Sequence, residues 1–555
     1  MRSLRGVGRR LGANGVRVIK RARARSLYGA VGTEGNTWLL VRLGAQLSER
    51  RVSAGLGSSE PPPLALVDLL RTFEVAGADS RVAGVLLRFE GGPPGVAAAE
   101  PLRRAVESLR AAGKTVWAWS EGYDALSYYV ASAADRVDVA PTGSLQLLGL
   151  RSQQPFFKGL LDKLGVRAEV VRIGSNKAAA DPLVRRAMAE PQREQVTAYQ
   201  SEVFEELVRA IASGRGLSEE SVRGLIDEGP HGAEAACRAG LFDALRYPDE
   251  VDASLREAFG QGSGDVAEAA DADAFPLVEG GAYFGWVASD AGWRPVLHEL
   301  PRVAYVVVEG AIRKGRSARG VSSQRYSELF RKLKDDEQVS GVIVRIASPG
   351  GDAVASDLLH REIERLSRRK PVVVSMADVA ASGGYYLAVA GDHILAEKTT
   401  LTGSIGVVGG KLDLSGLYAR LGIDFESIER GERAGLYSET RGFTPAERQA
   451  LRAEMQTLYE AFKERVAAGR SLSERDVERA AQGRVWSGAR ARGLGLVDDL
   501  GGPLEALAKM RARLALAPGA GYLLDVYPQR RLFPLAPEWF SSLVWGPRRA
   551  NVDWD

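Results

Sequence analysis

The chain has 555 residues, 45% of them apolar and 26% charged, with 74 Lys+Arg against 70 Asp+Glu. These proportions exclude wholesale disorder and a multi-span membrane protein, and a net charge of +4 demands no nucleic-acid partner. A single cysteine, Cys237, excludes an intrachain disulfide framework and a multi-cysteine zinc site, and four histidines (His231, His298, His360, His393) leave little for a histidine-based metal site.

Residues 1–25 hold nine arginines and lysines and no acid, and Gly12, Asn14, Gly15 and the arginines interrupt every apolar run, so no secretory signal core is present. Residues 1–35 read as a basic tail, either solvated or attracted to an anionic membrane surface. No window of about 18 clean apolar residues exists. The nearest imitation, Pro371–Ala390, contains Asp378 and the Ser382-Gly383-Gly384 break, and reads as a buried strand followed by a helix.

An internal repeat organises the chain beyond this tail. Gly84-Val85-Leu86-Leu87-Arg88 matches Gly341-Val342-Ile343-Val344-Arg345, and Tyr128-Tyr129-Val130-Ala131 matches Tyr385-Tyr386-Leu387-Ala388, both at an offset of 257. After a three-residue insertion Thr142-Gly143-Ser144 matches Thr402-Gly403-Ser404, and Leu161–Val166 resembles Tyr418–Ile423. So long a period means a duplicated domain rather than a solenoid. The expected units are residues 36–255 and 300–520, with a linker at 256–299 that contains the Gly/Ala/Asp-rich stretch Gly260–Ala274.

Within the second unit, Val303–Val308 is a β-rich apolar run, Gln324–Leu333 is amphipathic, and Gly341–Ile346 is a second buried strand. Ala355–Arg368 has helical spacing, Val372–Ser375 is a third strand, and a helix starts at Gly383. Short apolar runs alternating with amphipathic helices predict an α/β fold with parallel sheets. The tail at 521–555 is aromatic (Phe533, Trp539, Phe540, Trp545) and reads either as packing against the second unit or a neighbouring subunit, or as contact with lipid.

Three places could carry chemistry. Ser348-Pro349-Gly350-Gly351 follows a buried strand, where unobstructed backbone N–H groups could form half of an oxyanion hole or simply a βα turn. Ser382-Gly383-Gly384 also follows a strand and opens a helix; Ser382 is either an N-cap or a nucleophile whose oxyanion the Gly383 N–H could hold. In the repeat Ser382 aligns with Ala125, so the fold does not require Ser-Gly-Gly in both copies. Lys177, followed by Ala178-Ala179-Ala180, aligns with Ala434. Each half therefore holds one member of a Ser/Lys pair and lacks the other. No histidine offers a convincing triad: His393 is about three helical turns beyond Ser382.

SPGG (348–351), ASGGYYLA (381–388) and LTGSIGV (401–407), in this order and spacing, resemble the signal peptide peptidase A (protease IV) family in its long, tandemly duplicated bacterial form. The resemblance spans roughly residues 36–520 and implies two tandem ClpP/crotonase-like domains, each a spiral of βαβ units. It implies Ser382 as nucleophile, Lys177 as general base, Ser404 as the hydroxyl that positions the amine, and Gly351 and Gly383 as oxyanion donors. The implied activity is that of a serine endopeptidase acting through an acyl-enzyme on signal-peptide remnants or unfolded apolar peptides, with no metal or cofactor and no nucleic acid. A homo-oligomer, tetrameric in the family, is implied, as is membrane association. The family's usual N-terminal transmembrane anchor is not found in this sequence, which leaves peripheral or cytoplasmic placement open. Two rival readings stand beside this one: a crotonase-like acyl-CoA enzyme using the same backbone donors for an enolate, and a catalytically degenerate scaffold.

Overall fold

The structure is a computed structural model that describes residues 37–44, 47–51, 64–259, 277–281, 283–284, 300–317, 319–517 and 520–528. The basic tail, most of the expected linker, His298 and the aromatic residues 533–545 lie outside the described residues.

The fold is α/β, with two mainly parallel sheets. In the first half β1 (Thr37–Leu43), β2 (Val82–Phe89), β3 (Thr115–Ser120) and β4 (Arg136–Val139) run parallel, with Leu277–Glu279 outside β1 and Ala244–Leu245 outside β4. The segment β5 (Arg167–Ile173) leaves this sheet. In the second half β6 (Arg302–Glu309), β7 (Val339–Ser348) and β8 (Val372–Ala381) form the centre, with Leu523–Tyr527 beside β6. β8 is long enough to serve two partners: Val373–Ser375 pair with His393–Leu395, and Val379–Ala381 pair with β9 (Leu401–Gly403).

Two findings differ from the expected boundaries. Leu277–Glu279, inside the expected linker, is a strand of the first sheet, and Tyr283 is fully buried in that half's core. Leu523–Tyr527, inside the expected tail, is an edge strand of the second sheet. Each covers an edge strand of a parallel sheet, which would otherwise present unpaired backbone groups.

β7 shows why an unbroken apolar run forms here. Val342, Val344 and Ile346 face one core and Ile343 the other, and all four are fully buried, as the two-residue period of a strand covered on both faces requires. Arg345 interrupts the run, and it too is fully buried. Its guanidinium donates to Glu49 Oε1 (2.7 Å), Ser375 Oγ (2.9 Å) and the Met376 carbonyl (2.7 Å). The repeat is physical as well as textual. Tyr128 OH donates to the Leu241 carbonyl and Tyr385 OH to the Leu496 carbonyl, while Arg215 forks Asp243 and Arg470 forks Asp498.

Two sets of contacts join the halves. The first-half helix Val96–Ala111 begins at Gly95, which has no side chain to cap it, and Asp378 of β8 accepts from the Ala98 N–H instead (3.2 Å). One turn on, buried Glu100 accepts from the Thr399 N–H (2.9 Å) and hydroxyl (2.5 Å), and Arg104 forks Glu397 at 2.7 and 2.8 Å. The second joint is a ribbon in which β5 pairs antiparallel with β10 (Val407–Asp413), from Ile173↔Val407 to Arg167↔Asp413.

Candidate active site

β8 delivers Ser382 at its C-terminal end, as the residue that caps the helix Gly383–Ala388. Its backbone sits at φ 55°, ψ −118°, a region that non-glycine residues occupy only when the surroundings over-determine it. The Ser382 N–H donates to the Gly403 carbonyl (2.8 Å), which holds it there. The hydroxyl makes no capping bond, so it is free of the N-cap role open to it in the sequence. The first-half counterpart differs: Asp124 caps the equivalent helix and closes a capping box with Ser127, leaving Ala125 inside the helix.

The glycines answer to close packing. A Cβ on Gly384 would lie 2.5 Å from the Ser348 carbonyl oxygen, and one on Gly383 would lie 2.4 Å from Ser356 Oγ. Gly350 has φ 97°, and a Cβ there would lie 2.5 Å from the Gly383 nitrogen. The Ser348–Gly351 turn is thus pressed against the start of the Ser382 helix. Ile312 donates to the Gly350 carbonyl (2.9 Å) and accepts from the Asp352 N–H (3.0 Å). By the parallel-bridge pattern the Gly351 N–H between them points away from Ile312. The Gly383 N–H is in the first helical turn and has no intrahelical acceptor.

Lys177 comes from the turn that follows β5 and reaches the second half through the ribbon. Its Nζ lies 2.9 Å from Ser382 Oγ, 2.9 Å from Ser404 Oγ and 2.7 Å from the Ser404 carbonyl oxygen. The residue is 5% exposed, and burial lowers its pKa from 10.5 to about 8. A neutral amine has two N–H donors and one lone pair. With both donors given to the two Ser404 oxygens, the lone pair of the neutral form would be left for the Ser382 hydroxyl. This arrangement can take a proton from Oγ.

A cavity of about 310 Å³ adjoins the lysine turn, lined among others by Val170, Ala179, Ala180, Leu183, Val408 and Leu412. The three histidines among the described residues are engaged elsewhere: His393 Nε2 contacts Asp499 (2.8 Å), His360 packs edge-on against Tyr386, and His231 Nε2 contacts the Leu225 carbonyl oxygen. Among the described residues no cluster of three or more His, Cys, Asp or Glu could hold a metal.

Sequence reasoning missed the residues that frame this site. Asp378 and Glu100 act across the half–half joint, and the turn Ala481–Arg484 lies beneath Lys177 (Asn176 N–H to the Gln482 carbonyl, 2.8 Å). The only textual trace of that turn is a Gln-Gly pair between a helix and a short strand.

The profile of peptidase family S49 matches this chain twice, at residues 108–261 and 364–517. The chain is 33% identical over 493 residues to the chloroplastic serine protease SPPA of Arabidopsis thaliana, covering 86% of this chain and 71% of that one. It is 30% identical over 471 residues to Protease 4 of Haemophilus influenzae, covering 82% and 74%. Among solved structures, ClpP1 from Listeria monocytogenes aligns over 36% of this chain and 91% of its own, at 15% identity and a TM-score of 0.23. A double profile match, once in each half, and relatives matched over more than two thirds of their own length place the chain in peptidase family S49, as a tandem serine peptidase.

Proposed function

We propose that this serine peptidase works through a Ser382/Lys177 dyad and cleaves signal-peptide remnants or unfolded apolar polypeptides. The observation that carries the reading is the 2.9 Å approach of a buried lysine amine to a hydroxyl that has no structural bond to make. Ser382 Oγ attacks the scissile carbonyl while neutral Lys177 takes its proton. The Gly351 and Gly383 N–H groups receive the oxyanion, and Ser404 aims the amine. The Lys177 ammonium then protonates the leaving amine, and the acyl-enzyme is hydrolysed by water activated by the same lysine. With a pKa of about 8 roughly 9% of Lys177 is neutral at pH 7, against about 0.03% at the ordinary value, a gain of about 300-fold in competent base. The apolar cavity beside Ala179 and Ala180 suits an apolar substrate side chain. The test is turnover of an unfolded apolar polypeptide, together with phosphonate labelling of Ser382. Ser382→Ala and Lys177→Met should each abolish turnover while remaining folded, and wild-type turnover by either removes that residue's role.

We further propose a head-to-tail homotetramer. The helices Lys158–Leu164 and Ser415–Leu421 occupy equivalent places in the repeat, and neither buries a residue. Within the chain, the strand after the first (β5) pairs with the strand before the second (β10). Their repeat equivalents, 424–430 and 150–156, belong to no strand and have no strand partner among the described residues, and 421–434 is exposed throughout, with Ile428 at 92%. A second copy offering 150–156 to 424–430 would repeat the intrachain joint, and a heterologous contact whose rotation closes after four copies makes the proposed ring. Phe425→Asp with Ile428→Asp should reduce the mass seen by sedimentation to that of one chain; an unchanged mass removes this interface. Membrane association is proposed as peripheral, through the basic segment 1–25, and among the described residues no helix is long and apolar enough to cross a membrane. Release from vesicles by high salt is the expected result, and retention refutes the electrostatic mode.

A further inference from the structure

The base turn Gly174–Lys177 is seated on a piece of the second half that no catalytic motif contains. Gln482 accepts from the Asn176 N–H through its carbonyl (2.8 Å) and from the Ser175 N–H through its side-chain Oε1 (2.9 Å). It does so at φ 60°, a left-handed conformation in which a glutamine is strained. Its Nε2 donates to Glu478 and its N–H to Tyr459 OH, so the side chain is fixed at both ends. The next residue, Gly483, touches the lysine backbone: a Cβ there would lie 2.5 Å from the Lys177 nitrogen and 2.6 Å from its Cα. The same turn also holds the Ser404 side of the site. The Gly483 N–H donates to the Ile405 carbonyl (2.7 Å), and the Arg484 carbonyl accepts from the Ser404 N–H (2.6 Å). Gln195 ties in from the first half, donating to Asn176 Oδ1 (3.2 Å) and accepting from the Val485 N–H (3.0 Å).

We propose that Gln482 and Gly483 are positioning residues: one strained turn of the second half seats both the Lys177 turn and the Ser404 turn, so the amine is aligned on Ser382 Oγ only when the two halves are docked. Lys177 enters from a turn that this seat ties directly to the second half, and a proton transfer across 2.9 Å tolerates little drift. The inference rests on the dyad reading and identifies what holds that dyad in register.

The test compares Gly483→Ala and Gln482→Gly with the wild type by separate kcat and KM on an unfolded polypeptide, the pH profile of kcat/KM, and the melting temperature. Gly483→Ala forces the lysine backbone away. It is expected to lower kcat about 100-fold with KM nearly unchanged, and to move the acid limb of the profile upward as Nζ becomes wetter. Gln482→Gly keeps the carbonyl acceptor and accepts φ 60° without strain. It loses the Oε1 bond to the Ser175 N–H and the Nε2 bond to Glu478, and should lower kcat about tenfold with little change in melting temperature, because relief of strain at φ 60° offsets the lost bonds. Should Gly483→Ala not fold, Gln482→Gly decides alone. Wild-type kcat and pH profile in the folded variants, or a loss matched by the unfolded fraction with an unchanged profile, overturns the proposal. Lys177→Met, run in parallel, separates the two ideas. If it is inactive while the seat variants are normal, only the seat is refuted; if it is active, the dyad falls and the seat with it.

Discussion

In the proposed dyad Lys177 is buried at the expense of stability, and its titration measures that expense. Unfolded, the lysine holds a proton up to pH 10.5; folded, it holds one only up to about 8. Between those values the unfolded state binds more protons, so stability rises with pH, and below pH 8 the full penalty is present. The gap corresponds to roughly 3 kcal/mol, of which about 2 kcal/mol should disappear between pH 7 and pH 9.5. Lys177→Met removes the titration while filling similar volume. The substitution also leaves the Ser404 carbonyl short of a donor, which offsets part of the gain by about 1–3 kcal/mol at every pH. The diagnostic quantity is therefore the pH dependence of the stability difference, read from urea unfolding of both proteins at pH 7 and pH 9.5. Lys177→Met should lose about 2 kcal/mol of relative advantage over that interval, while wild-type kcat/KM climbs with an apparent pKa near 8. A stability difference that stays flat would show that Lys177 is not buried as a depressed base, and the mechanism built on it would fail.

Other consequences are equally direct. At Ser382 the usual order of alanine over glycine should reverse, with Ser382→Gly more stable than Ser382→Ala by about 1 kcal/mol in thermal unfolding, because φ 55°, ψ −118° suits only glycine. The ordinary order would mean that the backbone at this elbow is unstrained. Ser404→Ala should keep the carbonyl acceptor for Nζ and lose only the hydroxyl, lowering kcat about tenfold with KM unchanged; full activity would remove Ser404 from the positioning of the amine. At the half–half joint, burial and then the neighbouring Glu397 push Glu100 up to about 7. The folded state then binds more protons than the unfolded one between pH 4.5 and 7, and this group's contribution to stability falls as pH rises through that window. Glu100→Gln should stabilise the protein on the order of 2 kcal/mol at pH 8 and little at pH 4.5, as read from urea midpoints. An equal effect at both pH values would contradict the account.

Local text made the second half legible. β-branched runs bounded by glycine and proline marked β6, β7 and the start of β8, and 3.6-residue periodicity marked the helices between them, because parallel strands and their crossover helices write their burial directly into residue spacing. The duplication pointed to Ser382 and Lys177 as a complementary pair, since each stands where the other copy has alanine. The text was less informative where pairing is long-range. Thr142-Gly143-Ser144 matches Thr402-Gly403-Ser404 in letters, yet Tyr123 pairs with Leu145 while Ala381 pairs with Gly403, so the edge strands use different residues of the matched segment. Leu277–Glu279 and Leu523–Tyr527 were hidden in stretches that read as linker and tail, because three to five residues of edge strand leave too short a pattern to detect.

By itself the sequence determined the repeat, the α/β class, and the residue types from which a serine peptidase can be built, because these follow from local periodicity and from which side chains are present at all. Only the tertiary structure decided that a lysine 205 residues from Ser382 comes within 2.9 Å of it, that Gln482 seats the lysine turn, and that Asp378 and Glu100 bridge the two halves. Proximity across two halves depends on how the ribbon and the helix Val96–Ala111 dock. That docking is the sum of many weak contacts between distant segments, and no short stretch of sequence encodes it.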